Sequence, residues 1–324
     1  MTGDSAMAAA APQSTRAAIL IPFGIVTLIW GSTWLVIRDQ IAVVPPSWSV
    51  TYRFAVAGVA MTIWAIVRGD RFRLDARGYA FAAAIGITQF CLNFNFVYRA
   101  EKFITSGLVA VVFALLLVPN AGFARLFLGQ RMGRQLLIGS AVAMAGVALL
   151  FLHEARTDPH GPAASLTGIA WTLAAILSAS SANVLQATDT AKRYPMGSTL
   201  AIAMLLGTLL DAGVAWWLTG PPVIEPRWGY VAGIVYLGLA ASALAFPLYF
   251  SVLRVIGPAK AAYSSVIVPV IAMLLSTLFE GYRWSPLAIG GAVLAGIGLV
   301  IALKARRPTP VAAADQTSAR SPSR

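Results

Sequence analysis

Two ionisable side chains fall inside long apolar stretches of this 324-residue sequence, Arg53 and Asp211. An ionised group in hydrocarbon costs at least ~2.5–3.5 kcal/mol, so one that persists is a candidate for moving a proton, holding a charged ligand or neutralising a partner. Arg53 and Asp211 lie at similar depth in their stretches. That allows a coupling pair or a structural ion pair, and it also allows Arg53 to snorkel to the membrane interface. Uncharged polar groups accompany them at helical spacings. Gln89, Asn93 and Phe96 recur at i, i+4 and i+7 and so share one face of a helix. Asn120 follows Pro119, and Pro269 lies in a second apolar stretch; a proline removes an intrahelical hydrogen bond and leaves a carbonyl free for a ligand. Ser178, Asn183, Tyr249, Tyr263 and Ser264 complete the set, and its aromatic members suit an apolar or aromatic solute held by stacking.

The chemistry these groups offer is binding and proton exchange. His153 and His160 fall in one loop, and neither a His-Glu-x-x-His pattern nor a glycine-rich phosphate loop occurs. No catalytic residue, metal or cofactor is expected, and any work must be drawn from a gradient. The lone cysteine, Cys91, rules out an intrachain disulfide.

Such residues need long helices to position them. The chain is 58% hydrophobic and 11% charged, against about 25% charged for a soluble protein. Apolar windows predict ten transmembrane spans at 17–37, 48–67, 78–98, 104–127, 134–152, 167–188, 198–219, 229–251, 259–279 and 286–304. The fold class expected is therefore all-α integral membrane. A net charge of +12 is spread over short loops, which argues against a nucleic-acid partner. Most of the Lys and Arg, including Arg68, Arg71, Arg73, Arg77, Arg125, Arg131 and Arg134, fall on the side of the N-terminus, which predicts both termini in the cytoplasm.

Sliding the chain by 150 residues sets Ser140–Leu149 on Gly290–Leu299, Pro119 on Pro269, Gly107 on Gly257 and Gln130 on Glu280. Two five-span halves follow. Because five is odd, equivalent helices cross in opposite directions, and the repeats are inverted. Gly146, Gly290, Gly291 and Gly296 are expected to pack spans five and ten closely. Asp189 and Glu280 sit at helix ends, where capping or interfacial solvation is expected.

Leu28-Ile-Trp-Gly-Ser-Thr-Trp34, Tyr52-Arg-Phe54, Leu253-Arg-Val-Ile-Gly-Pro-Ala-Lys-Ala261, Val268-Pro-Val270 and Leu278-Phe-Glu280 occur in that order. Together they resemble the drug/metabolite transporter superfamily, its EamA-type members, and within those the bacterial aromatic amino acid exporters related to YddG. Gly129-Gln130-Arg131 departs from the Gly-Glu-Arg of that pattern, so a role for the glutamate carries over at Glu280 alone.

The resemblance implies a multi-pass protein of the bacterial inner membrane that exports amino acids or related metabolites. Its partners would be a small-molecule substrate and the lipid bilayer; transport is either facilitated or gradient-driven, with protons as one candidate coupling ion through Asp211. The expected organisation is a cytoplasmic tail (1–16), a first repeat (17–152), a periplasmic loop (153–166), a second repeat (167–304) and a disordered basic cytoplasmic tail (305–324). A nucleotide-sugar carrier of the same superfamily is the alternative, though an anionic phosphate would want more than one intramembrane cation. A channel or scaffold is a further one.

Overall fold

The computed structural model describes residues 11–129, 133–157, 162–261 and 264–303. Among these the chain is helical, with no strand. Its long helices are α1 (Ala11–Gln40), α2 (Pro46–Val67), α3 (Ala76–Ala100), α4 (Ser106–Leu128), α5 (Arg134–Thr157), α6 (Pro162–Gln186), α7 (Met196–Thr219), α8 (Trp228–Ile256), α9 (Ser264–Phe279) and α10 (Pro286–Leu303). Each coincides with one of the apolar windows. Proline opens α2, α6 and α10, where its missing N–H costs nothing. Asp75 caps α3 by accepting from the Gly78 amide at 2.8 Å. Gly129, at φ 65°, ends α4 in the left-handed conformation that glycine adopts freely.

Among the described residues, seven helices, α1 to α4 and α6 to α8, are long and apolar enough to cross a membrane. Three further apolar stretches lie in α5, α9 and α10, at Arg134–Leu150, Ile267–Phe279 and Pro286–Ala302. Large apolar side chains face outward on all sides, among them Ile63 on α2, Leu209 on α7, Leu274 on α9 and Val293 on α10. That is the surface of a protein solvated by lipid.

The helix ends gather in two layers. In one, Arg38 at the end of α1 donates to the Glu101 carbonyl after α3, Ser106 at the start of α4 donates to Glu280 after α9, and His153 on α5 meets Ser285 before α10. In the other, Tyr194 donates to Asp75 at 2.6 Å, and Arg254 on α8 donates to Gln186 on α6 at 2.8 Å. Between these layers α2 packs along α7 and α5 along α10. The pairs α1 with α8 and α9, α3 with α6 and α7, and α4 with α6 and α9 surround the centre.

The α5–α10 seam is the closest approach. A methyl group on Gly146 would sit 2.2 Å from the Ala295 amide nitrogen, and one on Gly298 would sit 2.2 Å from that of Ala143. Gly291 and Gly139 belong to the same seam. Gly290 and Gly296 do not, contrary to the sequence expectation, because nothing lies within 4 Å of either Cβ position. The contact follows Gly291, Ala295 and Gly298, one stripe of α10, and leaves its two other glycines on a different face.

Gly146→Ala is therefore expected to lower the thermal midpoint of the purified protein in detergent by several degrees. Gly290→Ala should hold or raise it, since a mid-helix glycine costs ~0.5–1 kcal/mol relative to alanine. A fluorescence-monitored melt of the two variants decides, and equal midpoints would contradict the seam.

Candidate functional site

A cavity of about 100 Å³ lies where α1, α2, α3, α4, α6, α8 and α9 converge. Its walls are mostly apolar and strongly aromatic. From α1 come Trp30, Thr33, Trp34 and Ile37, from α3 Phe94 and Val97, from α4 Phe113 and Leu116, and from α8 Phe246 and Tyr249. The rings contact one another, with Trp30 centred 4.9 Å from Tyr249 and 5.4 Å from Phe246, and Trp34 5.6 Å from Phe113. Polar groups interrupt this lining at Arg53 of α2, Gln89 and Asn93 of α3, and Asn183 of α6.

Arg53 is 1% exposed. Snorkelling is thus overturned: the side chain points into the bundle, where its guanidinium lies 4.2 Å from the centre of the Phe94 ring. Its Nε donates to Ser242 Oγ on α8 at 3.0 Å, and the Tyr98 hydroxyl lies against it. Two backbone features make this contact. Gly238 lets α8 approach so closely that a Cβ there would lie 3.1 Å from the Arg53 carbonyl oxygen. A π-helical segment, Leu239–Leu244, then turns Ser242 so that its hydroxyl donates five residues back to the Leu237 carbonyl at 2.8 Å and accepts from Arg53. Such π segments cluster at functional sites.

A second π segment, Gly86–Asn93, lies in α3. It presents Gln89 and Asn93 to the cavity and leaves Phe96 outside, stacked on Trp171 at 5.4 Å. The shared face expected for the three residues assumes an α-helical period. A π turn takes in one more residue, so everything beyond it is rotated.

Asn183, Tyr249 and Pro269 also reach the cavity wall. Asn120 is buried behind it, where its Oδ1 accepts from Asn183 at 3.3 Å. Pro119 follows a 3-10 turn at Ala114–Leu116, one turn before it, which is where the missing amide interrupts the hydrogen-bond ladder. Ser178 is not part of the wall; its hydroxyl donates to the Ala174 carbonyl of its own helix. Tyr263 lies outside the described residues, as does the side chain of Ser264.

Arg53 and Asp211 form no ion pair. Asp211, fully buried on α7, instead accepts from Asn95 Nδ2 at 2.6 Å. Asn95 Oδ1 accepts in turn from Ser47 at 2.6 Å and from Arg99 at 3.0 Å, and Arg99 also donates to Ser47 at 3.0 Å. The cluster ties α2, α3 and α7 together away from the cavity wall. Glu280 is likewise not an exposed cap, since its side chain is 9% exposed and accepts from Ser106 at 2.6 Å.

Three buried polar atoms on the cavity walls lack a hydrogen-bond partner: Arg53 Nη1, Trp34 Nε1 and Asn93 Oδ1. Two are donors, one of them cationic, and the third accepts. Buried polar atoms are almost always paired, so such a trio describes what a ligand would bring.

The EamA-like transporter family model matches residues 18–152 and 166–304. Among curated proteins, the chain is 26% identical over 294 residues to the protein PagO of Salmonella typhimurium, covering 90% of this chain and 94% of that one. It is 29% identical over 285 residues to the inner membrane transporter YedA of Escherichia coli, covering 83% and 86%. A probable terminal-alkyne amino-acid exporter of Streptantibioticus cattleyicolor is 29% identical over 255 residues, covering 76% and 81%. A solved crystal structure that is 20% identical superposes with a TM-score of 0.66, covering 89% of this chain and 97% of that one, and shares the fold. With the family model matched across both halves of the chain, the protein belongs to the EamA-like transporter family.

Proposed function

We propose that the protein exports a zwitterionic amino acid with an aromatic or apolar side chain across the bacterial inner membrane, by alternating access at the central cavity. The observation that carries this reading is the trio of unpartnered atoms. Arg53 Nη1 and Trp34 Nε1 suit a carboxylate, Asn93 Oδ1 suits an ammonium group, and the rings of Trp30, Phe94, Phe246 and Tyr249 suit an apolar side chain. The curated relative named as an amino-acid exporter agrees in substrate class.

In this reading the chain crosses ten times as two inverted repeats, 17–152 and 167–304, with the tails 1–16 and 305–324 in the cytoplasm and the connection 153–166 on the periplasmic side; that connection is not all loop, since α5 carries His153 and runs to Thr157 and α6 starts at Pro162. Exchanging each helix for the one five places along maps α1–α9 onto α6–α4, α3–α6 onto α8–α1 and α2–α8 onto α7–α3, and all of these are packed pairs. The π segments also fall in equivalent helices, α3 and α8. Such a symmetry supplies the two alternative packings that alternating access needs.

The test is counterflow of labelled phenylalanine in proteoliposomes. Phenethylamine, which lacks the carboxylate, should not compete, and 3-phenylpropionate should compete weakly. Arg53→Met is expected to abolish flux. Trp34→Phe keeps the ring and loses the donor; a hydrogen bond to a charged group contributes ~1.5–3 kcal/mol, so its KM should rise roughly tenfold to a hundredfold. Saturable flux of a sugar phosphate with none of phenylalanine would replace this reading with the nucleotide-sugar alternative.

In the same assay Asp211→Asn is expected to preserve the pH profile of transport and to lower thermal stability, because Asp211 anchors α3 to α7 through Asn95. A flattened profile at unchanged stability would instead make Asp211 the proton carrier.

A further inference from the structure

Beyond the cavity, toward the layer where α1, α3 and α9 end, two carboxylates are held out of water. Glu101, the residue after α3, is fully buried, and neither of its carboxylate oxygens has a hydrogen-bond partner. Glu280, just after α9, faces it closely enough for the two charges to interact. Arg38 of α1 lies beside both residues, donating to the Glu101 backbone carbonyl through Nη1 while its Nε lies 3.9 Å from Glu280 Oε1. Ser106 at the start of α4 donates to the other Glu280 oxygen at 2.6 Å. Arg53, at the cavity wall, is the second cation acting on Glu101, and the Tyr98 hydroxyl beside it donates to Gln40 at 3.1 Å. Tyr236 and Asp211 act on this group at one remove, through Arg53 and Tyr98 respectively.

We propose that Glu101 and Glu280 form a proton-binding site that latches this end of the cavity. With a proton on Glu101 the site carries one negative charge, which Arg38 and Ser106 balance, and the end stays shut. When the proton leaves to water past Arg38, whose side chain is 43% exposed, two carboxylates face each other in a dry enclosure. Their repulsion then drives the α3–α4 turn away from the end of α9. Burial, and after it the charge of Glu280, hold the Glu101 carboxyl well above the usual carboxylate range, against the opposing pull of Arg38 and Arg53. The protonated form is thus the one favoured in the closed arrangement, and opening is favoured as pH rises.

The latch assumes that the cavity is a transport route, but its test needs no substrate, so failure of the amino-acid assays and failure of the latch are separable. Spin labels on Lys102→Cys and Arg283→Cys, both exposed positions flanking the site, report the distance across it in nanodiscs, with Cys91→Ala as background. The distance should lengthen from mildly acidic to mildly alkaline pH. Glu101→Gln should keep the short distance throughout, and Glu101→Asp should retain a transition. Glu280→Gln removes the like charge and should move the midpoint to lower pH. A parent protein with no pH response, or a Glu101→Gln variant that responds as the parent does, would overturn the proposal.

Discussion

The guanidinium of Arg53 sets terms that four helices must meet. A charge cannot be left bare inside an apolar bundle, so α2 brings the cation, α3 supplies the Phe94 face and the Tyr98 hydroxyl, and α8 supplies Ser242. α1 contributes at one remove, through the Gln40 side chain that holds Tyr98. The glycine at 238 and the π segment beyond it serve the same need, the one letting α8 approach the Arg53 backbone and the other carrying Ser242, whose hydroxyl lies 3.0 Å from Arg53. With one nitrogen still unpartnered, the arrangement is satisfied for folding and unsatisfied at the cavity face.

Much of this was legible in the sequence wherever a single physical rule decides. Apolar windows located the long helices because a lipid-facing backbone has to be helical. Gln89, Asn93, Asn183 and Tyr249 stand on the cavity wall, as a polar group on an apolar helix that turns inward does. The misreadings each have a cause. Phe96 was misplaced by a local change of helical period that no side chain announces. Ser178 satisfies itself on its own backbone, an option open to every helical serine. Composition alone groups Gly290 and Gly296 with the seam, although only one stripe of α10 makes contact.

Other members of the site carried signals that pointed elsewhere. Trp30 and Trp34 lie in the first motif by which the family is recognised, yet a tryptophan in a membrane helix reads first as an interfacial anchor. Asn95 and Glu101 lie beside the residues singled out, one turned toward α7 and the other just past a helix end. Which of two distant charges a buried carboxylate meets is a property of packing. Depth alone suggested that Asp211 would meet Arg53, whereas the fold gives it Asn95.

The two π segments have a mechanical side as well. Each stores one residue more than an α-helix of the same rise. Returning that residue to the α-helical ladder would advance the rest of the helix by ~1.5 Å and turn it by about 100°. α3 and α8 therefore each contain a built-in length of slack next to the cavity. Taking it up would re-aim Asn93 or Ser242 by a turn together with that short advance along the helix axis.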